Sequence, residues 1–413
     1  MFEFLRSRTW PIALDLGADS VKMLQMRRSG RIVYVTACAK WRYPESVRGD
    51  PQEGRKAAVS AVREALRKGG FRGKEAVSCL SCVDLNIKSV RLPAMGPAEL
   101  AKAAYAEARE RFEFDVAPDQ MSYLHAGSVR QGNETREEVV LMAAPRNVID
   151  NHIGLLGEMG LCARSIDAEP VALFRVFERY LRRRSDEHAV SVIVEIGYRA
   201  TRVVVARGRQ IVFVKTIDIG GERLNEAVAK QLNVPVPEAV ELRARMTRQR
   251  SEEAREAPKA PATEAGATEA GAAEAGAAEA GAPPAPPTAL RDTVDWTLHD
   301  AIRGEVDLLG KEIALCLRYC SVTFRGVRPQ SVTLTGGEAH DPAVVTLLGE
   351  HLNMPCAVAH PLRGIDTSAV DLGGDRRGRL AEWTLCAGLA ARGVEMPAIS
   401  REEEDGNPDR LSA

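Results

Sequence analysis

Asp15 and Glu195 each stand at the end of an apolar run, two residues before a glycine. The first lies in Ile12-Ala13-Leu14-Asp15-Leu16-Gly17-Ala18-Asp19-Ser20-Val21-Lys22, the second in Ile193-Val194-Glu195-Ile196-Gly197-Tyr198-Arg199-Ala200-Thr201. Each copy reads as a strand, a tight glycine turn and a second strand, with a carboxylate at the turn. Such a turn lets backbone N–H groups converge on an anion, and the carboxylate can hold the metal that accompanies a phosphate. Two copies on duplicated domains can grip a nucleotide from both sides.

The surrounding elements follow from periodicity and punctuation. Residues 11 to 36 read as a hairpin and Ala57 to Lys68 as an amphipathic helix carrying Val59, Val62 and Leu66. Strands fill Ala76 to Leu92, and Pro97 opens a helix to about Phe112. Met121 to His125 and Val139 to Ala144 read as strands of a small module, then Asn147 to Met159 and Ala168 to Leu181 as helices. At 191 the strand-turn-strand pattern restarts, dividing the chain into 1–190 and 191–400. Gly220-Gly221 leads into a helix from Glu222 to Leu232. A long helix from Thr293 to Phe324 keeps Ile302, Val306, Leu309, Ile313, Leu317 and Cys320 on one stripe. The strand Ser331 to Thr335 runs into Gly336-Gly337, a helix covers Pro342 to Leu352, and another, Ala381 to Ala391, closes the fold.

Between 250 and 289 the composition breaks into pentamers such as Thr263-Glu264-Ala265-Gly266-Ala267, followed by a proline run. Glycine at every fifth position costs a helix about 1 kcal/mol each relative to alanine, and no apolar face offsets it. A disordered, solvent-exposed spacer is expected there, and the polar segment 401–413 reads as a frayed acidic tail.

Bulk properties exclude several classes. A length of 413 residues exceeds what one core usually serves. A net charge of -1 gives no footprint for nucleic acid or a polybasic membrane anchor. No apolar run approaches the roughly 18 residues needed to span a bilayer, and the N-terminus lacks a signal-peptide core, so a cytoplasmic protein is expected. The eight cysteines lack metal-ligand spacing and read as buried, reduced thiols.

In chain order, Gly17, Gly197 and Gly336-Gly337 resemble the phosphate-1, phosphate-2 and adenosine segments of the actin, Hsp70 and sugar-kinase ATPase fold. The resemblance narrows along nearly the whole chain. Asp15 to Gln25 is similar to the opening "DIGSSSIKVVEL" of the PilM family of cytoplasmic type IV pilus assembly proteins. Ala143-Ala144-Pro145-Arg146 through Ile166-Asp167-Ala168-Glu169 resembles its "AAPKELVD…GLKP…VDVE". Ile219-Gly220-Gly221-Glu222-Arg223-Leu224 is similar to its "IGGEQLT", and Thr335-Gly336-Gly337-Glu338-Ala339 to its "GGGA".

The resemblance implies an α/β actin-like fold: two duplicated ribonuclease-H-like halves around a nucleotide cleft, with a small α+β subdomain at about 84–165. It implies ATP with Mg²⁺ as cofactors. Asp15 and Glu195 would face the metal, while Gly17, Ala18, Asp19, Ser20, Lys22 and Gly197 would hold phosphates. Gly336 and Gly337 would back the nucleoside, Gly220 and Gly221 belong to the same set, and Glu222 or Arg223 would reach the ribose or base. It also implies docking of the N-terminal cytoplasmic peptide of an inner-membrane PilN-like protein. Through that partner come a PilO-like protein, the pilus motor and a place beside the inner membrane. Self-association is a further possibility within this fold.

This chain departs from the family at the second turn, where Glu195 replaces the usual aspartate and Tyr198 and Arg199 replace small residues. A shift near 1 Å matters greatly to chemistry, so binding should survive better than hydrolysis. The expectation is a nucleotide-binding scaffold with slow or absent turnover and no assigned catalytic residue. The alternatives are an active ATPase or sugar-kinase-like phosphotransferase, or an FtsA-like filament protein.

Overall fold

The computed structural model describes residues 10–48, 50–81, 83–181, 184–256, 291–324, 329–372 and 380–394. The spacer expected at 250–289 lies outside them from 257 on, as do the acidic tail and Cys82. The first half runs β1 (Ile12–Leu16), β2 (Ser20–Ser29), β3 (Ile32–Arg42), α1 (Glu45–Arg48), α2 (Pro51–Lys68) and β4 (Glu75–Leu80). A module follows of β5 (Asn86–Pro93), α3 (Pro97–Arg111), β6 (Met121–Gln131) and β7 (Glu134–Ala143). Then come α4 (Arg146–Glu158), β8 (Cys162–Ala168) and α5 (Glu169–Glu178). The second half holds β9 (Val190–Ile196), β10 (Thr201–Arg207), β11 (Gln210–Ile217), α6 (Gly221–Leu232), α7 (Val236–Glu256) and α8 (Arg291–Thr323). It continues with β12 (Val332–Thr335), α9 (Pro342–Leu352), β13 (Cys356–Val358) and α10 (Thr384–Gly393).

Two five-stranded sheets share one topology. Their orders are β3-β2-β1-β4-β8 and β11-β10-β9-β12-β13, each an antiparallel meander extended by two parallel strands. Local chemistry explains the helix starts: the Asp50 carboxylate accepts from the backbone of Gln52 and Glu53, and Pro51 presets the first turn. That cap is why α2 begins at Pro51 rather than at Ala57. The stripe expected on α8 is buried, and it packs in one core with β9, β10 and α9.

Two boundaries differ from the sequence reading. The small subdomain ends with β7, not near 165, because Leu156, Met159 and Leu161 pack into the first half beside Ile12 and Leu14. Its sheet β5-β7-β6 buries one face under α3 and lays the other against the second half's core. The closing helix α10 also changes sides. Trp383, Leu385 and Leu389 pack with Ala13, Leu24 and Leu173 of the first half, and Arg392 bonds Asp167 at 2.8 Å. The cysteines are all free among the described residues, and Cys79, Cys316, Cys320 and Cys386 are buried, but Cys162 is exposed on the edge strand β8.

Candidate functional site

The first turn joins β1 to β2 in direct antiparallel register, so Asp15 faces Lys22 across the strands. Lys22 Nζ lies 3.4 Å from Asp15 Oδ2, with both groups buried. Burial alone would lower the Lys22 ammonium, yet Asp15, Glu382 and Glu195 together hold it above its ordinary value. Asp19, at the turn's tip, accepts from Arg48 Nη2 at 2.6 Å and Arg42 Nε at 3.0 Å.

The second turn repeats the arrangement with a tighter grip. Glu195 faces Arg202 across β9 and β10, and Arg202 Nη1 donates to Glu195 Oε2 at 2.8 Å. The same guanidinium donates through Nε to Glu169, at the start of α5, also at 2.8 Å. Burial pushes the Glu169 carboxyl up to about 8, against the pull of Arg202 and with Glu195 and Asp15 adding to the rise. Three carboxylates and two cations thus form the floor of one cleft. Behind this turn stand Gly220, Gly221 and Glu222, which do not line the cleft. Backbone N–H groups of Gly221 and Glu222 donate to the carbonyls of Gly197 and Tyr198 at 3.0 and 2.8 Å. A Cβ on Gly220 would sit 2.6 Å from each of those oxygens, so only glycine lets α6 brace the turn.

The third site closes one end. Gly336 has φ +90°, and a Cβ there would lie 2.4 Å from Ile196 O. Beyond it α7 forms a wall, and Arg243 donates to Asn225 at 2.7 Å, Glu338 at 2.7 Å and Asp341 at 3.3 Å. Asp15, Gly17, Ala18, Asp19, Ser20, Lys22, Glu195, Gly197, Gly336 and Gly337 therefore converge on one cleft of about 560 Å³, a volume suited to a nucleotide. Arg199 lines it without an ion pair to any described residue, and His340, also lining it, keeps a buried Nε2 with no hydrogen-bond partner. These free groups fit a polyphosphate ligand. A larger trough of about 1080 Å³ runs along α2, but mostly solvated side chains line it, and its carboxylates Glu64 and Glu158 pair with the exposed Lys68 and Arg55.

A resident metal fits less well. No group of three or more His, Cys, Asp or Glu among the described residues could hold one. Of the two carboxylates expected to face it, Glu195 is held by Arg202 at 2.8 Å and Asp15 more loosely by Lys22 at 3.4 Å. Sequence reasoning missed Arg202 and Glu169. One signal was present: the cation falls seven residues after the acid in both copies, at Lys22 and at Arg202. It also missed a bridge between the halves. Arg48 of α1, bound to Asp19, lies 5.0 Å over the Tyr198 ring and donates to its hydroxyl at 3.4 Å.

A family model described as type IV pilus assembly protein PilM matches residues 13–258, more than half the chain. The chain belongs to the PilM family. A solved PilM-PilN type IV pilus biogenesis complex aligns with TM-score 0.69 and 19% identity, over 94% of this chain and 99% of that one. Ethanolamine utilization protein EutJ from Carboxydothermus hydrogenoformans gives TM-score 0.49 and 11% identity, over 92% and 89% of the two chains. MreB5 of Spiroplasma citri bound to ADP gives 0.43 and 11%, over 97% and 99%. The PilM-family chain has the actin-like ATPase fold, and no helix among its described residues is long and apolar enough to cross a membrane.

Proposed function

We propose that this chain is a nucleotide-binding scaffold of type IV pilus assembly that holds ATP in the cleft and docks the N-terminal cytoplasmic peptide of an inner-membrane PilN-like protein. The observation carrying the nucleotide half is the pair of acid–cation turns facing each other across one cleft, closed at one end by Gly336. Backbone N–H groups from Gly17 to Ser20, the Ser20 hydroxyl, Lys22 and Arg199 would hold phosphate oxygens. Gly336, Gly337 and α7 would back the nucleoside. Mg²⁺ would arrive on the nucleotide, supplying charge neutralisation at the phosphates, with Asp15 as its protein neighbour. Turnover is slow or absent on this reading, because Asp15 and Glu195 are both ion-paired and neither is free to take a proton from water.

The docking half is supported by the PilM-PilN neighbour and by a groove of about 370 Å³ between the module and the first half. Leu80, Met121, Met142, Ile149 and Ile153 line it beside β8, the outermost strand of its sheet. An extended peptide could pair with that edge while placing alternate side chains on the apolar lining. Attachment to the inner membrane, to a PilO-like protein and to the pilus motor would then pass through this partner, with the chain itself on the cytoplasmic side.

Calorimetric titration with ATP, with and without Mg²⁺, and then with a synthetic PilN N-terminal peptide tests both halves. Saturable binding of each, without phosphate release on the timescale of many bindings, is expected. If neither binds, the scaffold reading fails; tight ATP binding with rapid phosphate release would support an enzyme instead.

A further inference from the structure

The net charge of -1 conceals a segregation that only the fold creates. Ile12, Gln25, Ala76 and Ala163 lie side by side across β1, β2, β4 and β8. The hairpin joining β2 to β3 and the loop 69–74 therefore project from one end of the first sheet, the end remote from the acid–glycine turns. The buried Gln25 side chain fastens that loop. Its amide donates to the carbonyls of Trp10 and Arg72 at 2.6 and 2.7 Å, and its oxygen accepts from Arg72 N at 2.9 Å. Exposed at this end are Arg27, Arg31, Arg67, Arg72 and Lys74, none of them in an ion pair with any described residue. The acids nearby are engaged: Glu64 with Lys68 at 2.7 Å, Glu75 with Arg164 at 2.9 Å, and Asp366 with the Ser368 hydroxyl at 2.6 Å.

Helix α10 ends at the same place. A Cβ on Gly393 would lie 2.4 Å from Pro11 Cγ, and Val394 is buried in one core with Trp10, Met26 and Val33 at the root of the hairpin. Residues 395–401 then lead to Glu402-Glu403-Glu404-Asp405. We propose that this acidic run docks on the basic end of the first sheet. The lead of 395–401 reaches about 24 Å when extended. The cations spread from β3 to β4, only three strand spacings or about 14 Å, so they lie within that reach. Four carboxylates then meet five unpaired cations. Each such surface pair is weak, but the tether holds the acids at a roughly millimolar effective concentration. A lipid headgroup or a nucleic acid must displace them to reach the same cations, and the docked run keeps the basic end closed until one does. The pentamers of 264–282 match less well, because they carry one carboxylate each and follow α7 of the second half.

Zero-length carbodiimide cross-linking of the full chain, read by mass spectrometry, tests this on an equal mixture of unlabelled and heavy-isotope-labelled protein. Amide links from Glu402–Asp405 to Lys68 or Lys74 are expected within one isotope, at about fivefold or more the yield at the exposed Lys102 and Lys230. Salt at about 0.5 M, and separately the double variant R67E/R72E, should lower those yields about fivefold. Both arginines are exposed, so unchanged melting curves are expected. Vesicles of equal phosphatidylglycerol and phosphatidylcholine supply a competing polyanion. The variant E402Q/E403Q/E404Q/D405N should bind them about fivefold or more tighter than the wild type does. Yields at Lys68 and Lys74 no higher than elsewhere, links mainly between isotopes (a second copy as the source of the acids), or equal vesicle binding by the two proteins would overturn the proposal.

Discussion

The two phosphate-type turns have the same topology and different tightness. At the first, Lys22 stands 3.4 Å from Asp15 and makes no second ion pair among the described residues. At the second, Arg202 clamps Glu195 and Glu169 at 2.8 Å each, and α6 is braced on the turn's carbonyls. Duplication thus conserved the register while the side chains diverged. The looser turn keeps groups that a ligand can recruit, and the tighter one has become a preassembled wall. A lysine ammonium is a point charge on a flexible stem, whereas a guanidinium fork can hold two carboxylates at once.

The largest effect should come from forcing the second turn off its brace. Gly220→Val places side-chain atoms against the carbonyls of Gly197 and Tyr198, and urea unfolding should report a loss of about 3 kcal/mol or more. The matching change at the first turn, Gly17→Ala, meets Ser20 O at 3.0 Å and Asp15 Oδ1 at an ordinary 3.8 Å, and should cost about 1 kcal/mol. Equal losses would erase the distinction.

Next come the two cations. Arg202→Met strands the buried Glu195 carboxylate and removes the donor to the Glu169 carboxyl, and should destabilise by about 3 kcal/mol, as breaking a buried ion pair does. Lys22→Met should affect stability less but weaken ATP binding by about tenfold or more, read by calorimetry. The opposite ranking would mean that the second turn carries the ligand.

A pH dependence separates the turns more finely. The Glu169 carboxyl titrates near 8 in the folded state, raised mainly by burial, and at its ordinary lower value when unfolded. Between those values the native state binds more protons than the unfolded state, so stability falls as pH rises from about 5 towards 8. Glu169→Gln should flatten that slope in urea midpoints measured across the range. A wild-type slope that survives the substitution would place its origin elsewhere.

The smallest effect belongs to the bridge between the turns. Arg48→Ala removes the contacts to Asp19 and Tyr198 and should change ATP affinity by about two- to fivefold. In a double-mutant cycle with Tyr198→Phe the two losses should fail to add, because the residues share one contact.

Much of this was legible locally. Apolar alternation placed β1, β2, β9 and β10, whereas α2 was read from Ala57 and starts at Pro51, where Asp50 caps it. The acid-to-glycine spacing located both turns, and Gly336 fell where only a backbone at φ +90° fits. Gly220 and Gly221 were legible as important but not as braces, since what a glycine avoids touching depends on another segment. Glu169 closes a family-like motif, yet its partner Arg202 lies on a strand of the other half. The closing helix read as a helix, but nothing in its own periodicity told that it packs under the first sheet.

The sequence by itself determined the strands, the turns, the acid at each turn and the family, because these depend on neighbours along the chain. Tertiary structure alone decided which charges meet. Arg202 became a clamp, Arg48 a bridge and α10 part of the first half through the path of the chain, which joins residues that local pattern cannot relate.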